Sequence, residues 1–138
     1  AARWAPSSLN QQPWRFVYAQ KGDVFYNKLL SCLAEKNRQW AQYAPLLVLT
    51  IAQVVPDIKE RPNIYAWHDL GMAYANLVFQ ATFEGLCAHP MGGFDRKKAI
   101  QLVNIPERNE PVAFVAIGYK SKSEDFSFDL ITVIEIYH

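Results

Sequence analysis

The chain has 138 residues, of which 51% are apolar and 14% aromatic, so it can bury a sizeable core, and we expect a single domain spanning residues 1–138. Its formal net charge is +1, and no basic run is longer than Arg96-Lys97-Lys98 or the looser Lys120-Ser121-Lys122, which argues against nucleic acid as a partner. No signal peptide is visible and no apolar run reaches the roughly 18 residues that span a bilayer, so we expect a cytoplasmic protein with no membrane segment.

Residues 5–14, with the sequence A-P-S-S-L-N-Q-Q-P-W, are the first segment that suggests a function. The prolines restrict the backbone, Ser, Asn and Gln offer hydrogen-bond donors and acceptors, and Trp14 adds a rigid aromatic surface. No ionisable side chain lies between Pro6 and Trp14. The segment predicts either a loop that binds a polar, planar ligand by hydrogen bonds, or a Ser/Asn-rich cap and turn before the next strand.

The first half of the chain then predicts strands and helices in turn. Residues 15–20 alternate as in a strand, and Asp23 follows them as a helix cap. Apolar residues at helical spacing predict a surface helix over 24–35, and residues 38–43 predict a further helical turn. The nearly continuous apolar run 46–54 predicts a strand covered on both faces.

A proline-punctuated connection, 56–62, leads to the longest predicted helix, 65–83. This helix is apolar almost all round, which is typical of a buried central helix or a subunit interface. Its polar residues Asp69, Asn76 and Gln80 fall on roughly one face. We favour solvent or interface hydrogen bonding for them over ligand contact.

In the second half, Gly85 ends the long helix and residues 86–89 predict a short strand. Asp95 is expected to cap a helix that runs to about residue 103. Residues 104–111 predict a polar loop, and the apolar run 112–118 predicts a buried strand. Strands separated by helices indicate an α/β sheet with covered faces.

The last segment, 126–137, is an apolar run of strong β-propensity with Asp129 and Glu135 as its only charges. It predicts a strand that either completes the sheet of its own subunit or adds an edge strand to the sheet of a partner.

Cysteine and histidine are sparse. Cys32 and Cys87 lie far apart in apolar contexts, so we expect reduced core thiols, although one disulfide between them stays open. His68, His89 and His138 lack metal-ligand spacing, and no metal site is predicted.

A second functional segment, 85–95, reads G-L-C-A-H-P-M-G-G-F-D, and its paired glycines would let the backbone approach a flat ligand. Together with P-S-S-L-N-Q-Q-P-W near the start, this segment resembles the nitroreductase family of FMN-dependent flavoproteins. The resemblance runs from residue 1 to about 120. It implies a dimer whose subunits have a mixed, mostly antiparallel sheet flanked by helices, an α/β (α+β) fold.

The resemblance also implies the site residues. One wall of the FMN site, contributed by the neighbouring subunit, would contact the ribityl chain and the pyrimidine edge through Pro6, Ser7, Ser8 and Asn10. The other wall would be formed by Pro90, Met91, Gly92 and Gly93. The backbone N–H of Gly92 would face flavin N5, and no side chain would act as nucleophile or general acid.

The implied activity is a ping-pong oxidoreduction in which NADPH or NADH reduces FMN, and the flavin then reduces a small-molecule acceptor such as a nitroaromatic or a quinone. Family members carry an Arg-rich R-R-S-x-R element about one helix before the point where this sequence starts, and a basic phosphate anchor near the C-terminus. We expect either an N-terminally short piece or a relative that binds FMN weakly or not at all. In a complete chain, Lys120 and Lys122 are the candidate phosphate anchors, the alternative being solvated turn lysines.

Overall fold

The computed structural model describes residues 1–56 and 61–120. Within these ranges the chain forms four strands and four α-helices, with two short 3₁₀ turns at Ala2–Trp4 and Ser8–Asn10. In chain order the elements are β1 (Trp14–Gln20), α1 (Val24–Leu30), α2 (Glu35–Ala41), β2 (Leu46–Gln53), α3 (Ala66–Phe83), β3 (Cys87–Met91), α4 (Arg96–Val103) and β4 (Asn109–Gly118).

The strands form one sheet in the order β1-β2-β4-β3, and each neighbouring pair in the described part of the chain is antiparallel. Helices flank both faces, which confirms the expected fold class. The side chains of β2 alternate between the two faces of the sheet. Leu47 and Leu49 pack on one face with α1 and α4, whereas Ala52 packs on the other face with α3. Residues 47–53 are all buried, so the prediction of a strand covered on both faces is also confirmed.

Several predicted boundaries are close to the observed ones. Strand β1 starts one residue before the expected position, and α3 runs from Ala66 to Phe83. Its end is followed by Gly85, whose φ of +75° favours glycine. Asp95 caps α4 as expected, since its side chain accepts a hydrogen bond from the Lys98 N–H at 3.0 Å.

The predicted helix 24–35 is wrong at its C-terminal end, because α1 stops at Leu30. Residues 32 and 33 leave the helix to bond with another part of the chain: the Cys32 carbonyl accepts from the Asp95 N–H, and Leu33 forms a β-bridge with Phe94. The next helix accordingly begins at Glu35, three residues before the predicted helical turn.

Four further expectations need correction. Asp23 precedes α1 at the cap position, but its carboxylate accepts from the Gln20 N–H rather than from the helix. The short strand is displaced to Cys87–Met91, where it pairs with β4, and β4 begins at Asn109, inside the predicted loop, because its first residues pair with β2. Cys87 is exposed at the start of an edge strand, so only Cys32 is a core thiol; both are free.

The predicted tail strand 126–137, Lys122 and part of the connection 56–62 lie outside the described residues.

Candidate functional site

The first site segment is a loop of residues 6–13, called here the serine loop. Ser7 Oγ accepts a hydrogen bond from the Gln12 N–H at 3.0 Å, and Gln12 Nε2 donates to Asn10 Oδ1 at 3.0 Å. Leu9, Asn10 and Gln12 all have a left-handed backbone, with φ of 52°, 54° and 48°. Such conformations cost on the order of 1–3 kcal/mol each for residues with a side chain, and they persist where the surroundings fix them. The serine loop is therefore a strained, internally bonded structure.

The two ends of the serine loop are packed against α3. Ala5 and Trp14 are buried in one apolar cluster with Ala66, Leu70 and Ala73 of that helix. The serine loop is therefore fixed at both ends by apolar contact with α3.

A polar contact with α3 holds the middle of the serine loop. The Ser8 N–H donates to Asp69 Oδ2 at 2.9 Å, and Asp69 is 2% exposed. The preference for solvent or interface bonding was therefore wrong for Asp69, which faces the loop. Ser8 and Asp69 lie 61 residues apart, and a local sequence pattern cannot predict a contact over that separation. The sequence therefore showed the acidic residue but not the group that it binds.

Arg15 and Gln53 fix the exit of the loop, and sequence reasoning missed both. The Arg15 guanidinium donates to the Gln12 and Trp14 carbonyls at 3.0 and 2.7 Å and to Gln53 Oε1 at 3.0 Å. The Gln53 N–H in turn donates to the Pro13 carbonyl at 2.7 Å. The alternating pattern of residues 15–20 predicted a strand but did not show what Arg15 binds.

The second site segment is a turn of residues 92–95 after β3, called here the glycine turn. Met91, immediately before it, is buried, whereas Pro90 is exposed. The Gly93 carbonyl accepts two hydrogen bonds, from the Ala34 N–H and from Asn37 Nδ2, both at 3.0 Å. Asn37 was not singled out from the sequence, because a single helical asparagine carries no local signal.

The two glycines of the turn have different surroundings. A Cβ on Gly93 would lie 2.9 Å from Asn37 Nδ2, so this position has no room for a side chain unless Asn37 moves. A Cβ on Gly92 would have no described heavy atom within 4 Å, apart from its chain neighbours. The turn therefore holds Gly93 against the protein and leaves the backbone of Gly92 open to a ligand.

The serine loop and the glycine turn lie at one end of the sheet but on opposite edges. The loop precedes β1 and the turn follows β3, and these two strands run in opposite directions with β2 and β4 between them. Three strand spacings separate the edges, roughly 14 Å. Two described cavities, of about 300 and 460 Å³, are lined by neither segment.

Titratable groups beside the glycine turn are not poised as ionised catalysts. Burial lowers the pKa of His89, which contacts Trp40 edge-on with ring centroids 4.9 Å apart. Burial raises the pKa of the Cys32 thiol, although nearby Lys98 opposes this effect. The imidazole and the thiol therefore stay neutral near pH 7. Residues 6–13 and 90–93 offer backbone groups and uncharged side chains, which suits recognition of a flat, polar ligand.

The candidate phosphate anchors are only partly described. Lys120 is exposed, two residues after the end of β4, and Lys122 lies outside the described residues. Over residues 1–56 and 61–120, no group of three or more His, Cys, Asp or Glu side chains is arranged to hold a metal ion. None of the helices described is long and apolar enough to cross a membrane.

Comparison with known proteins gives consistent matches. A model of the Nitroreductase family matches residues 1–119. The solved structure of an oxidoreductase containing FMN is similar with a TM-score of 0.84 and 36% identity, over 88% of this chain and 63% of that one. An uncharacterized 15.4 kDa protein of Mycolicibacterium smegmatis is 37% identical over 90 residues, which are 65% of this chain and 59% of that protein. Protein DrgA of Synechocystis is 29% identical over 148 residues, covering 88% of this chain and 70% of its own. The chain thus spans about three fifths of the first two relatives.

Proposed function

Because the chain belongs to the nitroreductase family, we propose that it forms part of an FMN-dependent oxidoreductase that uses NADH or NADPH to reduce small-molecule acceptors. The acceptors that fit this proposal are nitroaromatics, quinones and similar electron-poor compounds. When bound, FMN supplies the redox chemistry, accepting a hydride from the nicotinamide and passing reducing equivalents on in a ping-pong cycle.

The observation that carries the proposal is the contrast between the two glycines. The open side of Gly92 fits the approach of a flat ring to the backbone, and the bonds at the Gly93 carbonyl keep that backbone fixed. In this arrangement the Gly92 N–H would face flavin N5, where a fixed donor would stabilise developing negative charge without transferring a proton. Pro90 and Met91 complete this wall of the site.

The other wall is assigned to the serine loop of a second subunit, through Pro6, Ser7, Ser8 and Asn10. The position of the loop and the turn on opposite sheet edges favours a site shared between two copies over a site within one. Exposed aromatic residues on and beside α3 also suit a homodimer: Trp4, Phe79 and Phe83 are 80%, 71% and 86% exposed. Sedimentation at low micromolar concentration tests this part of the proposal, and a stable folded monomer would contradict it.

The phosphate of FMN is assigned to Lys120 and Lys122. The assignment is supported by the position of Lys120, which is exposed two residues after the end of β4. Lysine is a point charge rather than a planar fork, so the contact is weaker and less specific than one from arginine.

The absorption spectrum of the purified protein tests the function directly. We expect flavin bands, or their appearance when FMN is added, followed by bleaching under anaerobic NADH or NADPH. A colourless protein that stays empty after FMN addition would contradict the proposal and favour a non-catalytic, flavin-free dimeric relative.

Variants at two positions test the site. Gly92→Ala should weaken FMN binding, and Gly92→Val should weaken it further, because each places a larger side chain in the open space, while the flavin-free protein loses no stability. Asn10→Ala should weaken FMN by about 1–3 kcal/mol, the cost of an unsatisfied buried ligand group. Wild-type affinity in all three variants would remove both segments from the site.

A further inference from the structure

A buried carboxylate lies beneath the serine loop. Asp69 is 2% exposed, and its Oδ2 accepts from the Ser8 N–H at 2.9 Å. Its Oδ1 lies 3.2 Å from Nδ1 of His68, whose side chain is 70% exposed. In the described part of the chain these are the polar contacts of the Asp69 side chain.

Packing alone does not explain an acid at this position. The neighbouring buried residues of α3, Ala66, Leu70 and Ala73, form an apolar stripe in contact with Ala5 and Trp14. Burial of a carboxylate is unfavourable unless hydrogen bonds compensate for lost hydration, so an apolar residue would suit the stripe better. What Asp69 adds is an acceptor for the loop.

The serine loop needs such a contact because its backbone is strained. The left-handed residues Leu9, Asn10 and Gln12 lie within the four residues after Ser8. The bonds within the loop join it only to itself, and Arg15 holds only its last residues. Over residues 6–11, the described hydrogen bond that reaches the body of the protein is the one from Ser8 to Asp69.

We propose that Asp69 is a positioning residue that holds the serine loop in its ligand-binding conformation before the ligand arrives. The link to flavin affinity rests on the proposed function; the anchoring of the loop does not. When a binding-competent conformer is only partly populated, the apparent Kd rises in inverse proportion to its population. Loss of the anchor therefore weakens flavin binding without removing any atom that touches flavin.

Amide exchange at Ser8 in the flavin-free protein is the primary measurement. Asp69→Leu keeps a similar volume but removes the acceptor, and Asp69→Asn keeps a neutral, weaker acceptor. Asp23→Leu is the matched control, because Asp23 also accepts a backbone N–H, from Gln20 at 3.0 Å, but at the opposite end of β1. The thermal midpoint of each variant reports general effects on folding.

The net free energy of a hydrogen bond to a charged group corresponds to a factor of roughly ten to one hundred in an equilibrium constant. We expect Asp69→Leu to lower the protection of the Ser8 amide and to raise the FMN Kd by about that factor, with little change in thermal midpoint. Asp69→Asn should recover most of the FMN affinity and most of the protection, and Asp23→Leu should match wild type in both. A Ser8 amide as protected in Asp69→Leu as in wild type overturns the proposal.

The remaining outcomes are also decisive. If wild type binds no FMN but the Ser8 amide follows the expected order, the proposed function fails and the anchoring stands. If wild type and Asp69→Leu bind FMN equally, the function stands and the positioning role fails. If Asp69→Leu does not fold, Asp69→Asn decides: its Ser8 amide should exchange several-fold faster than in wild type, and an unchanged rate refutes the anchor.

Discussion

Replacement of Gly93 by alanine tests how the glycine turn is held. A Cβ at this position would lie 2.9 Å from Asn37 Nδ2, and the next nearest side-chain atom outside Asn37, Ala34 Cβ, is at an ordinary 3.6 Å. The variant should therefore displace the Asn37 amide and break its hydrogen bond to the Gly93 carbonyl. The Ala34 N–H bond to the same carbonyl should survive.

Two effects of similar size act in this variant. Loss of the Asn37 bond costs about 0.5–1.5 kcal/mol. Alanine also restricts the unfolded chain more than glycine does, which stabilises by about 0.4–1 kcal/mol where the backbone allows it. Gly92→Ala is the matched control, because it brings the second effect into open space without the first. Gly93→Ala should therefore be less stable than Gly92→Ala by about 0.5–1.5 kcal/mol, or roughly 2–6 °C in Tm.

Chemical denaturation of Gly92→Ala and Gly93→Ala, each alone and combined with Asn37→Ala, separates the loss of the Asn37 hydrogen bond from the restriction of the unfolded chain. In the Asn37→Ala background the difference between the two glycine variants should vanish, because the atom that clashes is gone. Equal stability of Gly92→Ala and Gly93→Ala in the wild-type background would refute the reasoning. A difference that persists without the Asn37 amide would show that some other contact restricts Gly93.

Three more predictions concern the core, the pH response and the phosphate. Phe114 is fully buried, so Phe114→Ala should lower the free energy of unfolding by about 3–5 kcal/mol in denaturant titration, and a loss below about 1 kcal/mol would contradict the packing. Burial lowers the pKa of His89, so the unfolded chain binds a proton at higher pH than the folded one, and stability should fall as pH drops below about 6.5. His89→Gln should reduce that dependence, and an identical pH profile would exclude His89 as its source. The joint change of Lys120 and Lys122 to Met should weaken FMN more than riboflavin, and the wild-type preference for FMN should shrink with salt; equal losses for both ligands would exclude a phosphate contact.

The sequence predicted the elements whose patterns are local. Strand β2 was predicted from a short, nearly continuous apolar run and α3 from a long stretch that is apolar almost all round, and both elements end close to their predicted ends. The Asp95 cap follows from one residue type at one position. Such features depend on neighbours in the chain, so they can be inferred from the amino acids alone.

The sequence did not predict which distant groups meet. Asp69 was placed on a polar face of a helix, and that face was expected to meet solvent or a partner subunit. Asn37 and Arg15 had no visible role because their partners, the Gly93 carbonyl and Gln53, lie 56 and 38 residues away. Helix α1 ended early for the same reason, since bonds to Phe94 and Asp95 outweighed the helical pattern of residues 32 and 33.

The first turn of α3 contacts the serine loop directly and is linked to the glycine turn through Arg96, although the two segments lie on opposite sheet edges. Asp69 accepts from Ser8 in the serine loop. Trp67, two residues earlier, lies under the Arg96 guanidinium at 5.6 Å, and the same guanidinium lies 5.5 Å from the Phe94 ring in the glycine turn. The serine loop is therefore bonded to the first turn of α3, and the glycine turn is connected to the same turn by the Arg96 guanidinium. A ligand that contacted both segments would therefore not have to order them on binding. The conformational entropy of these segments is already lost when the protein folds, so less of it opposes ligand affinity.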